Sequence, residues 1–306
     1  MVFSSALPAT AHLVARSLAR RLRVPWVAEY RDPWTDSGSR RRMWPLYYLE
    51  RALEDRVVRD AAALITVSDS WAAQLHRRFP GAPVAVVPNG YDASDYTAGE
   101  KPPSGPPLTL LYTGRLYPRQ DIAPLFRAVR TLIDTGALAP DALRIRFVGR
   151  YLDAAREGAR AFSLLGNVVT VDESIPHADA LAAQQRAHVL VMALGADDDV
   201  GWRPAKLYEY LGARRPILMI GGSDRHEART ILSECAAGAA LSDPGEIADQ
   251  LVAWSRELRG AGEVAFPGDR SRIDAFDRTA LAKLLDRTLR TALAQSRGSS
   301  GAQMPT

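Results

Sequence analysis

Lys206 and Glu209 stand three residues apart in the stretch GWRPAKLYEYLGARRPIL, Gly201 to Leu218. At that spacing a cation and a carboxylate share one helix face, where they either form an ordinary exposed pair or face a ligand at the start of the helix. Spacing alone leaves both readings open. Local rules supply the helix: Pro204 is tolerated in a first turn, Ala205 to Leu211 are good or tolerable helix formers, and Gly212 weakens the end. A lysine in the first turn opposes the helix dipole unless an anion sits there, and a phosphate would be such an anion.

Other cations follow strand-like runs. After Leu108 to Tyr112 comes Thr113-Gly114-Arg115-Leu116-Tyr117-Pro118-Arg119-Gln120-Asp121, and after Leu143 to Val148 comes Gly149-Arg150. With Lys206, these loops make a convergent basic pocket whose best partner is a diphosphate; the alternative is a set of solvated loop arginines. Arg31-Asp32-Pro33-Trp34 follows the run Trp26 to Tyr30. Asp32 either acts as a catalytic residue, orienting a ligand hydroxyl or taking its proton, or caps the next segment while Trp34 packs.

Several chemistries have no sequence support. No GxGxxG follows a strand, and GxxxxGK[ST], HExxH and GxSxG are absent, so nicotinamide chemistry, P-loop phosphoryl transfer, zinc proteolysis and serine hydrolysis are poorly supported. The histidines His12, His76, His177, His188 and His226 are scattered, and the single cysteine, Cys235, sits in the helical pattern Asp224 to Ala236. One cysteine cannot form an internal disulfide and suits a reducing cytoplasm. A formal charge of +4 is too mild to imply nucleic acid, and no apolar run is long enough to span a bilayer. A cytoplasmic protein is expected, without metal or other cofactor.

The elements that would position these residues alternate. With 306 residues and 47% hydrophobic content, two domains are possible. From Leu108 the reading runs strand, helix Ile122 to Thr135, strand Leu143 to Val148, helix Asp153 to Leu165, strand Val168 to Val171, helix Ala178 to Ala187 and strand His188 to Leu194. The polar loop Gly195 to Gly201, the Pro204 helix and the apolar strand Pro216 to Ile220 continue it. The first half has strands at Val2 to Ser5, Trp26 to Tyr30, Ala63 to Val67 and Val84 to Val87. Such alternation predicts doubly wound α/β architecture, two Rossmann-like domains facing across a cleft. The composition of TAGEKPPSGPP predicts a linker over residues 97–107, between a domain at 1–96 and one at 108–275. A helix over 276–295 is expected to return to the first domain, ahead of a flexible tail, 296–306.

Trp26-Val-Ala-Glu-Tyr-Arg-Asp-Pro-Trp34, Thr66-Val-Ser68, Val86-Val-Pro-Asn-Gly-Tyr-Asp92, Tyr112-Thr-Gly-Arg-Leu116 and Pro204-Ala-Lys-Leu-Tyr-Glu-Tyr-Leu211 with Pro216-Ile-Leu218 occur in an order that resembles the GT-B, family-4 type retaining glycosyltransferases. The resemblance covers most of the chain. It implies that Arg115 and a second nearby cation hold the diphosphate of a nucleotide-sugar, with Lys206 by the phosphates and Glu209 on the ribose. Gly114, Gly149 and Gly201 would be loop contacts, and the first domain would be the acceptor side. Two positions depart from the family pattern: Gly201 stands where members often have a glutamate, and Gln120 where they have a lysine, for which Arg119 is the substitute. The implied activity is sugar transfer to a hydroxyl acceptor in a glycan, a lipid-linked or a small molecule, with retention.

The chain opens directly on the strand at Val2, so a preceding βαβ unit with its glycine-rich loop is expected to be missing from the first domain. That predicts donor binding with poor transfer, and leaves a non-catalytic relative of the same fold as an alternative. Arg40-Arg41-Arg42-Met43-Trp44 with the following aromatic residues combines basic and interfacial side chains, so peripheral contact with an anionic membrane is a further expectation.

Overall fold

The computed structural model describes residues 1–36, 44–96, 100–195 and 200–301, in two compact units. The first comprises Met1–Asn89 and Thr279–Thr306, the second Gly90–Arg278.

In the first unit, β1 (Val2–Ala6), α1 (Thr10–Leu22), β2 (Trp26–Tyr30), α2 (Trp44–Val58), β3 (Ala63–Thr66), α3 (Asp69–Arg78) and β4 (Val84–Val86) alternate. The strands lie in the order β1-β2-β3-β4, all parallel. Apolar side chains therefore face both sides of the sheet. Ala28, Tyr30 and Leu64 pack with α1, α2 and α3 through Ala19, Val57 and Leu75. On the other face Val27, Ala63 and Ile65 meet the C-terminal helix through Ala292 and Leu289. Ser68 starts α3 by accepting a hydrogen bond from Trp71 N.

An ion cluster ties α2 to α3. The Arg78 guanidinium donates to Glu54 at 2.7 Å, to Asp55 at 2.8 Å and to Thr35 at 2.8 Å, and Glu54 also accepts from the Thr35 hydroxyl. Glu54 is almost fully buried, and burial pushes its carboxyl pKa up against the pull of Thr35 and Arg78.

The second unit holds β5 (Leu108–Thr113), α4 (Ala123–Asp134), β6 (Leu143–Val148), α5 (Asp153–Ala161), β7 (Val169–Asp172), α6 (His177–Arg186), β8 (Val189–Leu194) and α7 (Ala205–Ala213). There follow β9 (Ile217–Gly221), α8 (Glu227–Glu234), β10 (Gly238–Leu241), α9 (Pro244–Ala261), α10 (Arg270–Asp274) and α11 (Arg278–Gly301), the last belonging almost wholly to the first unit. Six parallel strands run β10-β9-β8-β5-β6-β7. One face packs on α4, α5 and α9 through residues such as Leu110, Ile145, Phe126 and Leu251. The other packs on α7 and α8 through Leu190, Met192, Leu211 and Ile231.

The fold thus has the doubly wound architecture expected, with three boundaries moved. Residues 100–107 are not a free linker: His188 Nε2 bonds the Pro103 carbonyl at 2.9 Å while His188 Nδ1 accepts from Thr109 N, Arg215 reaches the Glu100 carbonyl, and Gly105 N donates to Gly262 O. These bonds strap the segment onto the second unit, and the division falls at Asn89–Gly90 instead. The helix expected to reach Leu165 stops at Ala161, because Ser163 adopts φ +55° and Leu164 N and Leu165 N fold back onto the Ala159 carbonyl. The last helix runs to Gly301, through residues with no proline to end it.

Removing Arg78 would leave Glu54 buried without its cation. Arg78→Met is expected to destabilise the chain by about 3–5 kcal/mol, and Arg78→Met with Glu54→Gln by clearly less. Urea unfolding followed by fluorescence of the buried Trp26, Trp34 and Trp71 checks this; a loss under about 1 kcal/mol for Arg78→Met would show the cluster to be dispensable.

Candidate functional site

The carboxyl ends of β5, β6 and β7 and the start of α7 surround a cleft of about 320 Å³. Thr113, Gly114, Val148, Gly149, Ser174, His177, Gln184, Lys206 and Glu209 line it, all from the second unit. Carboxyl ends of parallel strands are where open α/β sheets bind ligands, because adjacent helix N-termini present free N–H groups there. Helix α7 suits this, since no side chain caps its first turn.

Two glycines set the cleft's shape. Gly114 N donates to Val148 O at 2.8 Å, drawing the β5 loop onto the end of β6, and Gly149 N donates to Asp172 O at 3.2 Å, tying the β6 loop to the end of β7. A Cβ on Gly149 would stand 1.9 Å from the Gly114 carbonyl oxygen, so any side chain there must push the two loops apart. A Cβ on Gly114 would come 3.3 Å from Lys206 Cε.

Lys206 Nζ lies 3.6 Å from the centroid of the Tyr112 ring. The buried Tyr112 also donates its hydroxyl to the Arg115 carbonyl at 2.7 Å, so one side chain supports both the lysine and the arginine loop. Burial pushes the half-buried Lys206 ammonium pKa down to about 7, against the opposing pull of Glu209. A cation so poised gains much from an arriving phosphate.

Glu209, one turn on, receives the Gln184 amide at 3.5 Å, and Tyr96 donates to its backbone carbonyl at 2.7 Å. Gln184 is 1% exposed; its Nε2 also donates to Thr113 Oγ1 at 3.0 Å, and its Oε1 has no hydrogen-bond partner among the described residues. Tyr210, fully buried, accepts from Thr113 N at 2.8 Å. Gln184 and Thr113 thus steady the carboxylate, a role no sequence motif announced. The only signal was a glutamine on the inner face of an otherwise alanine-rich helix.

The structure brings together Lys206, Glu209, Gly114 and Gly149. Arg115 and Arg119 are in the adjacent loop but not on the cleft wall: both are exposed, and the Arg115 guanidinium stacks 4.8 Å from the Tyr151 ring centroid and 5.8 Å from that of Tyr117. Gln120 is buried, with its amide oxygen accepting from Tyr117 N, so it shapes the loop from within. Gly201 is buried near the Arg203–Glu227 ion pair and does not line the cleft, while Arg150 reaches Ser174 Oγ at 3.4 Å. Asp32 sits in the first unit, in an exposed turn after β2. Arg40, Arg41 and Arg42 lie outside the described residues, and Trp44 begins α2.

Residues 2–90 match the family model described as glycosyl transferase 4-like domain. No curated protein matches the sequence. Among solved structures, HepE of Anabaena in complex with UDP is similar over 95% of this chain and 79% of its own, with a TM-score of 0.66 at 13% identity. HepE in complex with UDP-glucose gives the same score at 14% identity, covering 94% of this chain and 78% of that one. Trehalose 6-phosphate synthase from Burkholderia multivorans is similar over 99% of this chain and 73% of its own, with a TM-score of 0.62 at 13% identity. The fold is that of the GT-B glycosyltransferases.

Gly149→Ala is expected to part the two loops and destabilise the chain by about 1–3 kcal/mol through overpacking. Gly260→Ala, whose added methyl meets nothing within 4 Å, serves as the control and should cause no loss. Thermal unfolding of both variants checks the pair; equal midpoints would mean that the loops yield at no cost.

Proposed function

We propose that this chain, which has the GT-B fold and carries a glycosyl transferase 4-like domain over residues 2–90, is a glycosyltransferase that moves a sugar from a nucleotide-diphosphate-sugar to a hydroxyl acceptor. The observation that carries this reading is the convergence of Lys206 and Glu209 on one cleft at the strand ends. The similar structures of HepE hold UDP and UDP-glucose, which supports a donor of that class.

In this reading the donor's diphosphate lies between the Gly114–Gly149 loops and the start of α7, close to Lys206. Arg115 and Arg119 reach it from the β5 loop, and Glu209, steadied by Gln184, accepts hydrogen bonds from the ribose. Breaking the sugar–phosphate bond places negative charge on the leaving diphosphate. Fixed cations and the free N–H groups of α7 favour that charge more in the transition state than in the ground state. Asp32, in the first unit, orients or deprotonates the acceptor hydroxyl. Retention at the anomeric carbon belongs to the same reading.

Lys206 supplies a specific signature. Its pKa in the folded chain is lowered, so its cost to stability is full below about pH 7 and fades as pH rises toward the ordinary lysine range. A bound diphosphate favours the ammonium, so above pH 7 donor binding should take up a proton and weaken as pH rises. UDP-glucose, whose phosphates do not titrate in this range, is a clean probe. Calorimetry at pH 8 in buffers of different ionisation enthalpy is expected to show uptake that vanishes in Lys206→Ala. Lys206→Ala and Arg115→Ala should each cost about 1.5–3 kcal/mol of binding. Equal binding by the wild type and both variants would remove the diphosphate from this site.

We also infer peripheral contact with an anionic membrane at the cytoplasmic face, through α2. Leu46, Leu49 and Leu53 follow one helical stripe and are exposed, as is Tyr48. Among the described residues no helix is long and apolar enough to cross a membrane. Co-sedimentation with anionic vesicles should fall sharply in Leu49→Glu; unchanged sedimentation would leave that stripe without a membrane role.

A further inference from the structure

Among the described strands of the second unit, β6 alone carries arginines. Its sequence Leu143-Arg-Ile-Arg-Phe-Val148 alternates, with Leu143, Ile145 and Phe147 in the core and Arg144 and Arg146 exposed on the opposite face. β7 repeats the pattern, with Thr170 exposed beside Arg146 in register. On this face α6 lies against β5, whereas the arginines of β6 and Thr170 of β7 stay open.

The open face is concave. Lys101 of the strap, Arg144, Arg146, Thr170 and Arg186 of α6 line a trough of about 450 Å³ whose floor includes Thr109. That volume is in the range of small-molecule sites. No acidic residue lines it among the described residues. Two of its cations have neighbouring acids, Arg146 with Asp172 at 2.6 Å and Arg186 with Glu100 at 3.2 Å, both pairs substantially exposed to water. Lys101 and Arg144 have no ion pair among the described residues; Arg144 donates instead to the Pro140 and Leu143 carbonyls at 3.0 and 2.9 Å.

The trough also continues the cleft already described. Thr113 and Val148 border the cleft, and the paired residues two positions earlier, Leu111 and Arg146, border the trough on the same sheet face. On α6, Gln184 belongs to the cleft, and Arg186 near its end and Ala187 just past it belong to the trough. A wet sheet face would need neither the concavity nor the strap that brings Lys101 to its rim.

We propose that this trough is a second anion site, taking a small phosphate-bearing molecule beside the Lys206 cleft. Four cations around a concave site select a compact ligand with several negative charges, because a single charge would engage only part of the set. The enclosed volume favours such a ligand over a macromolecular surface. The proposal does not depend on the sugar-transfer reading, since its residues lie outside the Lys206–Glu209 cleft.

Tripolyphosphate is the probe, titrated calorimetrically into the full chain. Lys206→Met, which disables the cleft, is expected to retain one tripolyphosphate site. Arg144→Gln/Arg146→Gln should weaken that site at least about tenfold while leaving UDP-glucose affinity unchanged. Arg144→Lys/Arg146→Lys should keep most of it, and removing two charges elsewhere, Arg127→Gln/Arg259→Gln, should leave it intact. Vesicles bearing phosphorylated inositol headgroups form a second arm: binding that disappears in the Gln pair while tripolyphosphate fails to bind would assign the site to a headgroup. Absence of both ligands from Lys206→Met, or equal binding by the Gln pair and the charge-matched control, would overturn the proposal.

Discussion

Gly114 and Gly149 approach so closely that a side chain on Gly149 would have to push the Gly114 backbone aside, and the arrangement of the cleft follows from that contact. Because the β5 and β6 loops touch, the ends of two strands become one wall. Lys206 passes close by Gly114, where a Cβ would come 3.3 Å from its Cε, and brings its ammonium over Tyr112. Tyr112 in turn holds the loop that carries Arg115. Close approach at one backbone contact thereby helps place a cation, whose pKa is lowered by its burial there.

The second unit separates rigidity from charge. Its fully apolar strands β8 and β9 carry no charged side chains, whereas β6 and β7, in the other half of the sheet, alternate. The polar work is done at strand ends and in that half. His188 illustrates the same economy of placement: with Nδ1 accepting from Thr109 and Nε2 donating to Pro103, both ring nitrogens are used in the neutral form, and burial lowers its pKa in keeping with that role.

Much of this was legible in the sequence, for identifiable reasons. Strands such as Val189–Leu194 are continuous apolar runs, which only a doubly covered strand sustains, and Lys206 and Glu209 were visible because Pro204 marks where their helix begins. What escaped depended on distant partners. The segment before β5 has linker composition, yet His188 and Arg215, far along the chain, fix its carbonyls. Gln184 belongs to no motif and matters only because Thr113 and Glu209 come beside it. Arg115 and Arg119 lie in the loop beside the cleft without lining it, and Arg115 is held there over the faces of two tyrosines, contacts between loop side chains that spacing does not reveal. The alternation of β6 was plain in its residues, but its meaning required knowing which face α6 leaves open.

The first unit is discontinuous: one face of its sheet is covered by a helix that follows all of the second unit along the chain. Val27, Ala63 and Ile65 therefore emerge from the ribosome nearly the whole chain ahead of the Leu289 and Ala292 that shield them. The second unit, an uninterrupted segment, has its entire core available earlier and can complete its folding first. During synthesis the leading part of the chain must wait with an exposed apolar sheet face, which is the surface that chaperones recognise.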